Sequence, residues 1–145
     1  MNTWNRSYSA DIEATPPAIW KVLADTSTWK SWNAGVKSIR LDGAFATGSQ
    51  FAMELPDGEI IDSTLVSVVD QQHFIDETTL GDTVVRVEHR IEPVADTTSR
   101  VTYAVTVQGP DPQAIGEAVS GDFPAVIASL GQYVTDQRQT GLHDA

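Results

Sequence analysis

A chain of 145 residues with 41% hydrophobic and 20% charged side chains has the composition of a globular unit able to bury one sizeable core. Nine Lys and Arg against 20 Asp and Glu give a formal net charge of -11, which repels phosphate backbones and anionic lipid and argues against nucleic acid or membrane partners. The absence of cysteine excludes disulfides, a thiol nucleophile and thiolate metal sites.

The first residues, Met1 to Ser7, lack the apolar run of a signal peptide, and no stretch approaches the ~20 apolar residues of a membrane-spanning helix. A cytoplasmic location without membrane insertion is the expectation, and Asn5-Arg6-Ser7 is then a chance glycosylation match. No repeat, low-complexity tract or linker divides the chain, so residues 1–145 are read as one domain.

Trp4 to Ile12 alternate in the period of a strand. Thr15-Pro16-Pro17 opens a short helix, with Thr15 as cap and proline in the first turn; Ile19, Trp20, Leu23 and Ala24 form its buried face. Asp25 to Trp32 allow a second short helix ending near Trp29, with Trp32 just beyond it. Six strands follow, at Val36–Leu41, Ser49–Leu55, Glu59–Val69, His73–Thr79, Thr83–Glu92 and Arg100–Gln108, separated by turn-forming sequences such as Pro56-Asp57-Gly58 and Gly81-Asp82. The latter suits a two-residue turn with glycine first.

After Gly109-Pro110 the period becomes helical. Ile115, Val119, Phe123, Ile127, Leu130 and Val134 form one stripe, interrupted at Gly121 and Pro124, where Asp122 can cap a restarted helix. Fraying is expected from Thr140. The order predicts an α+β fold in which a curved seven-stranded antiparallel sheet wraps a long C-terminal helix, with two short helices between strands 1 and 2. One helix cannot fill the concave side of such a sheet, so a cavity is expected.

This order resembles the START-like, or Bet v 1-like, superfamily, and within it the bacterial polyketide cyclase/dehydrase-like proteins. The resemblance is carried by Ile12-x-Ala14-Thr15-Pro16-x-x-Ile19-Trp20-x-Val22-Leu23-x-Asp25, Trp29-x-x-Trp32, Gly43-x-x-x-x-Gly48-x-x-Phe51, Ile91-x-Pro93, Arg100-Val101-Thr102 and Asp122-Phe123-Pro124 with Leu130. It implies a helix-grip fold over nearly the whole chain. Those motifs mark caps, turns and core, and the superfamily contains carriers, sensors and enzymes, so the resemblance leaves the function open.

Register supplies the site. A hairpin of the last two strands centred on Asp96 sets Ile91 against Val101, Val87 against Val105 and Val85 against Val107 on one face, with Glu92 against Arg100 on the other. His89 then faces Tyr103 on the concave side. A Gly81-Asp82 turn pairs Leu80 with Thr83, sets Glu77 against Arg86 outside and Phe74 against His89, and turns Asp76 and Thr78 inward; a one-residue slip would instead bring in His73 and Glu77. His89 is the candidate acid or base because histidine titrates near neutrality, with Tyr103 donating to a developing enolate oxygen and Asp76 orienting the imidazole. The competing assignment is a structural His89–Tyr103 hydrogen bond.

Trp29 and Trp32 are candidates to gate the cavity, while Trp20 is assigned to the core. Phe51, Met53, Phe74, Val87, Phe123 and Ile127 join Trp29, Trp32, His89 and Tyr103 as candidate ligand contacts, with core packing the alternative for Phe51, Met53 and Phe74. His73, His89 and His143 lack metal-ligand spacing, and no cofactor motif is present, so no metal or cofactor is expected. Three functions remain: binding of a small hydrophobic molecule such as a lipid, polyketide or aromatic metabolite; polyketide cyclase/dehydrase-like catalysis by His89 and Tyr103; and protein interaction through an exposed apolar patch.

Overall fold

The computed structural model describes residues 2–144, with side chains through residue 137. Strands β1 (Thr3–Ile12), β2 (Ser38–Asp42), β3 (Gln50–Glu54), β4 (Ile60–Val69), β5 (His73–Leu80), β6 (Thr83–Ala95) and β7 (Thr98–Gln108) form one antiparallel sheet in the order β1-β7-β6-β5-β4-β3-β2. Helices α1 (Pro16–Leu23) and α2 (Trp29–Trp32) separate β1 from β2, with a 3-10 turn at Thr26–Thr28 between them. Helices α3 (Pro112–Ser120) and α4 (Phe123–Asp144) follow the sheet. The helix-grip fold expected from the element order is the fold observed. The fraying expected from Thr140 and the position of the His143 side chain fall outside the residues whose side chains are described.

The local chemistry explains most boundaries. Thr15 takes the extended cap position ahead of Pro16, though its side chain makes no capping hydrogen bond. Asp25 accepts from the Ser27 backbone N–H at 3.1 Å and so caps the 3-10 turn. The segment after Asp25 is thus a turn plus a helix continuing through Trp32, rather than a helix ending near Trp29. Gly121 and Asp122 break the C-terminal stripe into α3 and α4, and the Asp122 carbonyl accepts the Val126 N–H at 2.9 Å.

The last hairpin has the expected register: Ile91 pairs with Val101, His89 with Tyr103, Val87 with Val105 and Val85 with Val107. It extends beyond the predicted ends, through a bulge between Pro93 and Ala95, the kind of position where a strand tolerates proline. Glu92 lies across from Arg100, but the Arg100 guanidinium turns to Asp11 on the neighbouring β1, at 2.9 Å. In the other hairpin Leu80 pairs with Thr83 around Gly81 at φ +61°, a left-handed conformation that glycine adopts without steric cost. Glu77 meets Arg86 outside and Phe74 pairs with His89. The slipped alternative does not occur.

The core divides in two. Ile19, Trp20, Leu23, Trp29, Leu65, Phe74, Val101, Ile127 and Leu130 pack where α1, α2 and α4 meet the sheet. Val85, Val87, Val105 and Val107 pack beneath Ile115, Val119 and Phe123, with Trp4 and Tyr8 from β1. No helix among the described residues is long and apolar enough to cross a membrane.

Candidate functional site

Between the two packed regions lies a cavity of about 590 Å³. The inward residues of β5 run down one wall. Leu80 is 44% exposed at the rim, Thr78 and Asp76 follow, and Phe74 is 1% exposed at the far end. Val85, Val87 and His89 of β6, Ile61 and Ser63 of β4, and Tyr103 of β7 complete the sheet side. Val119, Phe123 and Val126 cover it from the helices, and Leu55, Pro56 and Asp57 stand at the mouth. A second depression of about 800 Å³ lies mainly over outward residues such as Arg40, Gln50, Asp62 and Glu77, and is polar.

The predicted trio converges. His89 is stacked on Phe74 with ring centroids 3.9 Å apart and meets Tyr103 edge-on at 4.5 Å. It belongs to a row of rings crossing the sheet: Phe45, Phe74, His89, Tyr103, Phe123 and Tyr8, neighbours lying 3.9 to 5.8 Å apart. The His89 Nδ1–H donates to the Phe74 carbonyl at 3.2 Å, so in the neutral ring Nε2 is left as an acceptor. That Nε2 faces Asp76 Oδ2 at 3.9 Å, the diagonal approach expected from the register. The expected His89–Tyr103 hydrogen bond does not form; ring contact replaces it.

At 3.9 Å an ion pair would form if both groups were charged, but burial opposes both charges. The His89 and Asp76 side chains are only 12% and 16% exposed. Burial pushes the Asp76 carboxyl up to about 7. It pushes the His89 imidazole down to about 3, against the smaller opposing effect of the Phe74 carbonyl. Near neutrality the pair is a carboxylic acid losing its proton beside a neutral imidazole. This corrects the expectation that His89 is the group titrating near pH 7; Asp76 takes that position. The Tyr103 hydroxyl is held above its ordinary value, first by burial and then by the carboxylates of Asp76 and Asp122, so it stays a donor. Neither it nor the Asp76 carboxyl makes a hydrogen bond to another described residue.

Of the residues expected to line the cavity, Trp29, Trp32, Met53, Phe74, Val87, His89, Tyr103 and Phe123 do so. Phe51 and Ile127 do not: Phe51 packs edge-on against Trp29 at 5.7 Å, and Ile127 is 1% exposed in the core. Trp29 and Trp32 stand in the cavity wall. Both are buried, with indole N–H groups bonded to the Leu23 carbonyl at 3.0 Å and the Thr28 hydroxyl at 3.1 Å. Trp20 lies in the core, as assigned.

Sequence reasoning missed Ser63, which faces inward between Ile61 and Leu65 and hydrogen-bonds Thr78 at 2.6 Å. The same period-two alternation that placed Asp76 would have found it. Phe45, in the loop before β3, was also missed; its loop has no periodicity to read, yet its ring packs on Phe74 at 5.1 Å. Asp122, read only as a cap, stands at the cavity.

Residues 3–135 match the family model described as polyketide cyclase / dehydrase and lipid transport. The chain belongs to that family. Among solved structures, norcoclaurine synthase from Thalictrum flavum, in complex with dopamine and hydroxybenzaldehyde, superposes with a TM-score of 0.75 at 13% identity, over 93% of this chain and 88% of that one. A START superfamily protein from Mycobacterium smegmatis gives 0.74 at 12% identity, over 92% and 98% of the two chains. XoxI from Bacillus cereus gives 0.74 at 15%, over 92% and 97%. At these identities the likeness establishes the fold, not an activity. No curated protein matches the sequence.

Proposed function

We propose that this family member binds a small, largely apolar molecule in the cavity between its sheet and helices. One observation carries the reading: the Asp76 carboxyl, the His89 Nε2 and the Tyr103 hydroxyl converge, unbonded to the protein, in a cavity of about 590 Å³ with aromatic and aliphatic walls. Polar groups that open onto a cavity and bond nothing in the protein are free to bond a ligand, and the apolar walls add the burial of its body. The volume falls within the range of pockets that take drug-sized ligands. The cytoplasm is the proposed location, on the sequence grounds given above. A protein-docking role has less support: of the exposed large apolar residues, Ile60 and Leu80 stand at one end of the sheet, and Val69 and Val94 toward the other.

The test is native mass spectrometry of the protein after incubation with cell extract. A stoichiometric small molecule, released on denaturation, is the expected result. A clean ligand-free mass from a folded protein would count against a carrier.

The carboxyl at about 7 favours a second reading, an acid-base enzyme in which Asp76 rather than His89 moves the proton. Its carboxylate would remove a proton next to a carbonyl, while Tyr103 donates to the enolate oxygen that forms. That is the equipment of an aldol cyclisation or dehydration. If the chain is an enzyme, Asp76→Asn captures from extract a different mass from the one the native protein retains, because substrate accumulates in the variant. Identical masses would sink this reading and leave the carrier.

A further inference from the structure

The ionisable groups of the cavity narrow the class of ligand, on the reading that the cavity is a binding site. No lysine or arginine is among the described residues that line it. Its carboxylates are Asp57, Asp76 and Asp122, and its other titratable groups are His89 and Tyr103. The imidazole supplies no positive charge, because burial keeps it neutral.

Asp76 lies four residues below the rim residue Leu80 on the same face of β5, about 13 Å along the strand. A carboxylate at that depth has lost much of its water and has no cationic partner lining the space around it. Tyr103, 3% exposed, turns an unbonded hydroxyl into the same space. Fatty acids, phosphorylated lipids and other anions would bring their charge against these carboxylates with nothing to balance it. A protonated amine supplies the missing charge and the hydrogen-bond donors together.

We propose that the cavity takes a small organic cation: an amine on an apolar, ring-bearing body, its ammonium group against Asp76 and the Tyr103 oxygen, its body against Phe74, Val87 and Phe123. Asp57 and Asp122 at the mouth draw the cation inward.

The test uses three ligands of one shape, 2-(4-biphenyl)ethylamine, 2-(4-biphenyl)ethanol and 4-biphenylacetate, titrated calorimetrically at pH 8, where Asp76 is ionised. The amine should bind about ten- to a hundredfold more tightly than the alcohol, and the acid more weakly than either. In Asp76→Asn the ratio of amine to alcohol affinity should collapse toward one, with alcohol binding itself reporting a folded cavity. If that variant does not fold, the ranking on the native chain decides alone. An alcohol as tight as the amine, or an acid tighter than both, overturns the cation assignment while the apolar-cavity reading stands. No binding by any of the three overturns both.

Discussion

Asp76 and His89 pull the pH dependence of stability in opposite directions. The unfolded chain gives up the Asp76 proton near 3.8, whereas the folded chain holds it to about 7. Between those values the folded state binds more protons, so this group makes stability fall as pH rises. The unfolded His89 takes a proton below 6.5, the folded one only near 3. Between those values the unfolded state binds more protons, so this group makes stability rise with pH. From about 4 to 6.5 the two slopes, each up to about 1.4 kcal/mol per pH unit, oppose each other. Single variants separate them. In urea titrations across pH, Asp76→Asn should leave stability rising from pH 3 to 6.5, and His89→Gln should leave it falling from pH 4 to 7. Above pH 7.5 Asp76→Asn should be the more stable protein, by as much as about 4 kcal/mol, because it no longer buries a charge. A variant no more stable than the native chain there would mean the carboxylate is well solvated.

Among the elements, α3 makes its tightest approach to the sheet at one glycine. Gly116 sits against the Trp4 ring of β1, and a methyl group at that position would overlap the ring carbons Cε3 and Cζ3. Gly116→Ala should therefore cost about 1 to 3 kcal/mol in denaturant unfolding, by overpacking. Trp4→Leu in the same chain should recover part of that loss, and independent costs would show that the two side chains do not meet. Because Ala118 and Val119 of α3 also line the cavity, the single variant should disturb ligand affinity as well.

This scale also shows what was legible beforehand. Strand register could be read because a slip would have brought His73 and Glu77 to the concave face, and that face is what placed His89, Tyr103 and Asp76 together. The protonation of that trio could not be read. It depends on how completely α3 and α4 cover the cavity, which no strand pattern contains. Phe51 and Ile127 carried the right period and landed in solid core, since periodicity gives the face of an element and not the place where packing stops. Phe45 had no period at all.

At the scale of the molecule, the charge of -11 is spread over a surface whose cations are largely engaged. Arg6, Lys37, Arg86, Arg90 and Arg100 each lie within 4.0 Å of a carboxylate, every one of these pairs at least partly exposed. Such pairs contribute little individually, and the excess negative charge repels itself. Raising NaCl from about 10 to about 300 mM should therefore raise the melting temperature by a few degrees. A fall would show that the surface pairs outweigh the net repulsion.

The sheet has a further consequence in its first and last strands. β1 hydrogen-bonds only to β7, with Thr3 opposite Gln108. On the ribosome, the opening ten residues of sheet must therefore wait for their partner while about a hundred more are made, roughly 5 to 20 seconds at usual elongation rates. Until then Trp4 and Tyr8 lack the β7 strand they lie beside, while each hairpin from β2 to β6 already has both of its strands. For that interval the strands already made would stand as an open sheet, and the cavity would gain its cover only when α3 and α4 follow β7.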